Sequence, residues 1–217
     1  MTLTQYFEIK TIYEDEFVLV INKPHGLLTV KDRYDERLPN LRDILKEKYG
    51  DMFVVHRLDF GTAGVMVFAK NAHSHRKLNE QFESQQVKKE YLGVVEGCGF
   101  KPVTVMLPIS AKNSHGKYKI NFKSGKNAVT SFYTISEKNG FSLVKAIPFT
   151  GRTHQIRVHL KALKYPLAKD FLYNKKSEDK RLTLMCSLLS FKHPKTGVEL
   201  TFSTKLTDFM KSSFRLN

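Results

Sequence analysis

The chain has 217 residues, 41% of them hydrophobic and 26% charged. That balance suits one folded domain with its own core and excludes a disordered chain. Its 36 Lys and Arg against 21 Asp and Glu leave +15 at neutral pH, which points to a polyanionic partner, nucleic acid before an anionic membrane surface. The two cysteines, Cys98 and Cys186, exclude a disulfide framework and a Cys-rich zinc site.

Met1–Lys10 contains no signal-peptide core, and no apolar run approaches the roughly 18 residues of a membrane span. The expectation is a cytoplasmic protein without a membrane anchor, with a monomer as the default. Residues 1–16 read as an N-terminal extension that leads into the fold, and residues 17–217 as a single domain, because no repeat or linker interrupts them.

In chain order, Phe17–Ile21, Met52–Val55, Val65–Ala69, Tyr91–Val95, Val103–Leu107, Ala128–Ile135, Phe141–Ile147, Leu182–Phe191 and Val198–Phe202 read as strands. Each is short, apolar or β-branched, and bounded by turn residues or charge. Asn40 is positioned to cap a helix over Leu41–Tyr49 that Gly50 ends. A second helix begins at Asn71 or Ala72, with His75, Leu78 and Phe82 on one face. Thr153 is expected to cap a third, burying Ile156, Leu160 and Leu163 and stopping at Tyr165-Pro166. Strands outnumber helices without alternating with them. The predicted class is therefore α+β, with a mixed, largely antiparallel sheet and flanking helices and loops.

Two segments concentrate reactive chemistry. His56-Arg57-Leu58-Asp59 leaves a strand and enters a glycine-containing turn. An adjacent cation keeps a desolvated carboxylate ionised, and an ionised, positioned Asp can act as nucleophile or base. A turn-closing Arg–Asp pair explains the same residues. Thr150-Gly151-Arg152-Thr153-His154-Gln155-Ile156-Arg157 places donors at a helix start, an anion site. Arg157, Lys161 and Lys164 are spaced to form a basic stripe, and a solvated helix face accounts for them equally. Tyr91 suits core packing, base stacking or a catalytic hydroxyl. Lys23, in a Pro/Gly turn, suits a phosphate contact or plain solvation. No phosphate-binding or dinucleotide-binding glycine motif and no metal-ligand pattern is present, so no metal or organic cofactor is expected.

Taken together and in order, Asn22-Lys23-Pro24-x-Gly26, His56-Arg57-Leu58-Asp59-x-x-Thr62-x-Gly64, Lys89-x-Tyr91 and Gly151-Arg152-Thr153-His154-Gln155-Ile156-Arg157-Val158-His159 resemble the RluA family of pseudouridine synthases. The resemblance spans roughly residues 17 to 173 and is to the small stand-alone members without an S4 domain. It implies an α+β fold and an isomerase that needs no cofactor or metal. Such an enzyme cleaves the N-glycosidic bond of a uridine in structured rRNA or tRNA, turns the uracil, and rejoins it through C5. It implies Asp59 as catalytic carboxylate, Tyr91 against the target base, and Arg157 as partner of the carboxylate. Arg57 would fill the space left by the flipped base. The implied RNA-contacting residues are Arg57, His56, Lys23, Arg152, Thr153, His154, Gln155 and Lys161. Two positions depart from the family pattern: Lys169 stands where Gly precedes the Asp of an L-G-D segment, and Met185-Cys186 where H-A is common. The alternatives are a non-catalytic basic RNA-binding protein and a phosphate hydrolase built on Asp59 and His56.

Overall fold

Ten strands and four helices form the regular structure of the computed structural model, which describes residues 7, 9–33, 35–111, 113, 116–174 and 176–214. Contacts gather the chain into two units. Unit 1 comprises Met1–Lys89 and Cys186–Lys205, and unit 2 Glu90–Met185 and Leu206–Asn217.

Unit 1 holds β1 (Lys10–Glu14), β2 (Val18–Lys23), α1 (Leu41–Tyr49), β3 (Phe53–Val54), β4 (Ala63–Ala69) and α2 (Ala72–Glu83). It also holds most of β9 (Leu184–Lys192) and all of β10 (Glu199–Ser203). Its strands run in the order β1-β2-β4-β9, with β10 on β9 and β3 on β4. Pairings β1–β2, β2–β4, β3–β4 and β9–β10 are antiparallel. Strand β4 is buried on both faces, which is why it reads as the unbroken run AGVMVFA. Val18, Val20, Val65, Val67, Leu78, Leu189 and Phe191 form one core cluster. Both helices start as expected. The Asn40 carboxamide accepts from Asp43 N at 3.1 Å, and that of Asn71 from Ser74 N at 2.8 Å. Gly50, at φ 77°, ends α1.

Gly64 opens β4 at φ +115°, and a Cβ there would lie 2.1 Å from the Cys186 carbonyl oxygen. Only glycine lets the two backbones approach this closely. The Gly of the Thr62-x-Gly64 motif is thus a packing requirement of the β4–β9 pair.

Unit 2 contains β5 from Glu90 on (the strand spans Lys88–Glu96), β6 (Val103–Met106), β7 (Val129–Lys138), β8 (Phe141–Pro148), α3 (Gln155–Ala162) and α4 (Asp208–Phe214). Its strand order is β5-β8-β7-β6, antiparallel at each step. Val95, Phe132, Val144, Ala146, Ile156, Leu160 and Leu184 form its main core cluster, with Tyr91 packed against it. The α+β architecture with a mostly antiparallel sheet is as the sequence patterning predicts.

Strand β1 lies within residues 1–16, the segment read as an extension and the start of the fold. Two expectations are corrected. Thr153 does not cap α3; the N-cap position is His154, in the left-handed region at φ 56°, with no side-chain cap. The basic stripe does not form either. Arg157 is only 3% exposed, and Lys164 lies beyond the helix at φ 67°.

His56, implied as an RNA contact, is half-buried and ties the entry to β4 and α2. Its Nε2 accepts from Val67 N of β4 at 3.1 Å, and its ring stacks on Phe82 of α2 at 4.8 Å. A backbone N–H can only donate, so Nε2 is unprotonated and the neutral ring carries its proton on Nδ1. Burial, and then the Lys89 charge, push His56 from 6.5 down to about 3. Between those values the unfolded chain takes up a proton here that the folded chain does not. This group's contribution to stability is therefore intact above pH 6.5 and falls as the pH drops toward 3. In urea denaturation as a function of pH, His56→Gln, whose carbonyl can still accept from Val67, flattens the acid loss by up to about one proton. An unchanged pH slope contradicts this assignment.

Candidate active site

The Asp59 segment of unit 1 is built by backbone. Antiparallel pairing sets Lys23, at the end of β2, opposite Gly64, at the start of β4. The chain entering β4 makes a tight turn, with Thr62 N donating to Asp59 O at 3.0 Å. Lys23 lies beneath it and is fully buried. Its Nζ reaches Thr62 O at 2.7 Å, Pro24 O at 3.1 Å, and Asp59 O and Phe60 O at 3.3 Å each.

The loop after β2 completes the hold. Gly26 N, at φ +74° for that residue, donates to Phe60 O at 2.9 Å. His25 Nδ1 donates to Gly61 O at 2.7 Å. Thr29 Oγ1 donates to Leu58 O at 3.0 Å and accepts from Leu58 N at 3.3 Å. All five consecutive carbonyls from Leu58 to Thr62 are therefore engaged. The Asn22–Gly26 motif is the brace of the Asp59 turn, and the two motifs are one device.

This corrects the reading of Lys23 as a phosphate-contacting or solvated lysine, because no phosphate reaches an ammonium enclosed by carbonyls. Burial pushes Lys23 down to about 7, against the pull of the Asp59 charge. The carbonyl acceptors also favour the protonated form. Around the turn, Arg57 is exposed, Leu58 buried and Asp59 half-buried.

Unit 2 carries the other sequence-predicted residues. Arg157 forms a bidentate pair with Asp170, Nε to Oδ2 at 2.9 Å and Nη2 to Oδ1 at 2.8 Å. Both side chains are at most 3% exposed. Asp170 Oδ1 also accepts from Leu172 N and Tyr173 N. The Tyr173 ring lies 5.0 Å from the guanidinium, and its hydroxyl is 2.9 Å from His154 Nδ1. Two carboxylate oxygens in a fork fix the plane of Arg157 as a lysine could not be fixed. In the sequence, the signal for Asp170 is its place as the Asp of the L-G-D-like segment. Tyr91, half-buried, pairs with Ala146 across β5 and β8.

Gln155 is corrected from RNA contact to buried scaffold. Its Nε2 donates to Val129 O and Thr130 Oγ1, while its Oε1 accepts from Thr150 Oγ1 and Arg152 N. His159 continues the network. Its Nε2 must donate to Leu107 O, and burial lowers its pKa, which favours the neutral ring in which Nδ1 accepts from Thr130 Oγ1. Arg152, Thr153 and Lys161 are exposed and His154 is half-buried between Tyr118 and Tyr173. Of the Gly151–His159 motif, the first part faces solvent and the rest fastens α3 to β7.

The charge is divided unequally. Unit 2 has nineteen Lys and Arg against seven Asp and Glu, a net +12; unit 1 has seventeen against fourteen, a net +3.

Residues 17–162 match the family model described as RNA pseudouridylate synthase. The chain is 35% identical over 214 residues to a Haemophilus influenzae protein named dual-specificity RNA pseudouridine synthase RluA, covering 95% of this chain and 96% of the relative. The Escherichia coli protein of the same name is 32% identical over 202 residues, covering 88% and 90%. The solved structure of human RNA pseudouridylate synthase domain containing 4 superposes with a TM-score of 0.80 at 26% identity, covering 98% of this chain and 94% of that one. With the family model spanning two thirds of its length and a braced His-Arg-Leu-Asp turn within the match, this chain belongs to the RNA pseudouridylate synthase family, isomerases that act on RNA.

Proposed function

We propose that this chain isomerises uridines in structured rRNA, in a tRNA stem-loop, or in both, as a cytoplasmic monomer, with Asp59 as the catalytic carboxylate. The observation that carries the reading is the complete engagement of the Leu58–Thr62 carbonyls beneath Asp59. Electrostatic and nucleophilic catalysis both need a carboxylate that does not relax as charge develops. A turn with every carbonyl held meets that need. The names of the relatives, dual-specificity RNA pseudouridine synthases, support RNA as the substrate and more than one kind of target.

The reaction breaks the N1–C1′ bond of an extruded uridine and forms C5–C1′. The C5 hydrogen leaves to solvent and N1 gains a proton, so the product is an isomer. Asp59 serves as nucleophile toward the sugar or as base. Tyr91 supplies an aromatic wall for the freed uracil, and Arg57 occupies the stack that the nucleotide leaves. Arg157, its plane fixed by Asp170, is the cation that favours an ionised catalytic carboxylate. A phosphate hydrolase using His56 as base is disfavoured, because His56 Nε2 is already committed to Val67 N.

Two experiments test this reading. On transcribed rRNA fragments and tRNAs carrying tritium at uridine C5, wild-type protein releases tritium. Asp59→Asn lowers that rate by roughly a thousandfold or more while still binding RNA; full activity in the variant sinks the assignment. Lys23→Met removes the ammonium and leaves buried carbonyls unpaired. It is expected to cost about 3 kcal/mol or more in urea denaturation, and to lower kcat with Asp59 intact. A variant with wild-type stability and kcat shows that the brace is dispensable.

A further inference from the structure

The segment between β6 and β7, residues 107–128, is not used by the reaction as derived, yet its described residues are tied by hydrogen bonds at several points. Ile109 and Lys126 exchange backbone hydrogen bonds at 3.0 and 2.9 Å, and Ser110 N donates to Lys119 O at 2.9 Å. Both stems are fastened by α3 or the residues before it: Leu107 O by His159, Asn127 O by Arg152 Nε, and Val129 O by Gln155. In the middle, Tyr118 N donates to the Tyr173 hydroxyl at 2.9 Å. Ile109, Ala128, Val158 and Tyr173 form a small core, with Tyr118 and Ile120 packed on it.

Along Lys117-Tyr118-Lys119-Ile120 the lysines are exposed and the apolar residues half-buried, the alternation of an extended chain. Continued, that alternation turns residue 122 inward. It does not, because Asn121 starts a turn. Its Oδ1 accepts from Lys123 N at 2.9 Å and Ser124 N at 3.2 Å, and Gly125 N donates to Asn121 O at 2.9 Å. The turn leaves Phe122 77% exposed, the largest exposure among the big apolar side chains recorded as exposed in the described residues. On either side of it in the sequence come Lys117, Lys119, Lys123 and Lys126, all exposed. From residue 97 to residue 136 the sequence has six lysines and no Asp or Glu.

An aromatic face turned outward by a hydrogen-bonded turn, in a stretch of sequence rich in lysine and without carboxylates, matches one kind of partner, RNA with an unpaired base. The ring offers a π-face for any base, and the lysines meet the flanking phosphates. We propose that the 107–128 loop is an RNA-gripping arm on which Phe122 stacks an unpaired base outside the reacting uridine, while Lys119, Lys123 and Lys126 hold the adjoining backbone. The arm adds affinity for looped RNA over duplex and takes no part in the chemical step. It rests on the proposed RNA function only for the kinetic consequence; binding by the loop stands by itself.

The chain contains no tryptophan, so Phe122→Trp introduces a single reporter at the proposed stacking position. Poly(U), whose bases are unpaired, quenches this fluorescence, whereas poly(A)·poly(U) duplex at equal phosphate concentration leaves it nearly unchanged. Equal quenching by both, or none by either, overturns the stacking role; the first leaves a purely electrostatic surface, the second a face for some other partner. Phe122→Ala weakens poly(U) binding roughly 5- to 150-fold, the range for one base stacked on an aromatic ring. It leaves the salt slope of binding and kcat at saturating RNA unchanged. Lys119→Gln with Lys123→Gln lowers the salt slope by about 1 for each lysine. If wild-type protein isomerises none of the RNAs while the fluorescence and binding results hold, the proposed reaction fails and the arm stands. If isomerisation holds and Phe122→Ala binds like wild type, the arm fails and the reaction stands.

Discussion

A buried ammonium beneath a tight turn is the constraint on which the candidate active site depends. Lys23 is placed by β2–β4 pairing, and four carbonyls lie within 3.3 Å of its Nζ. A lysine out of water is costly unless its charge is met by acceptors. Here the acceptors belong to the turn that presents Asp59 and to Pro24, so the cost of burial is offset by fixing the one segment that must not move. Gly64 extends the same logic, since its missing Cβ admits the Cys186 carbonyl and lets β4 begin directly after the turn.

Unit 2 uses polar groups in a parallel way. Gln155, Arg157 and His159 are buried on an eight-residue helix, and each is satisfied by a partner outside it. Their partners are Val129 and Thr130, Asp170 and Leu107, so α3 acts as a polar bolt through the start of β7 and the base of the 107–128 loop. This unit also carries most of the excess positive charge. The electrostatic attraction for a polyanion and the braced carboxylate therefore reside in different parts of the sequence, and stability at one need not be traded for affinity at the other.

Much of this was legible from the residues. Asn40 and Asn71 announced α1 and α2 because an N-cap is a local event, decided within four residues. The long strands declared themselves by apolar runs. Strand β1 did not, because Lys10–Glu14 has only Ile12 and Tyr13 as strongly apolar positions and packs partly exposed. Helix α4, with Met210 and Phe214 as its buried residues, gives too short a pattern. The start of α3 is not legible in the sequence, because His154 adopts a left-handed conformation that no cap rule anticipates. The deeper misses concern charge. Residue type alone puts Lys23 in a solvated turn and Arg157 on a basic helix stripe, because lysine and arginine usually lie at the surface. The acceptors that bury Lys23 are backbone carbonyls as far as 39 residues away, which leave no trace in side-chain identity. The Arg157 partner lies 13 residues on and was visible only as part of a family-like segment.

The central claim is that this braced aspartate turns specific uridines into pseudouridine. The most direct measurement is a single-nucleotide map of pseudouridine in total cellular RNA from cells lacking the gene, complemented with wild type or with Asp59→Asn. The account predicts at least one uridine in rRNA or tRNA that is modified with wild type and unmodified with Asp59→Asn. A map identical in the deletion strain and both complemented strains contradicts it.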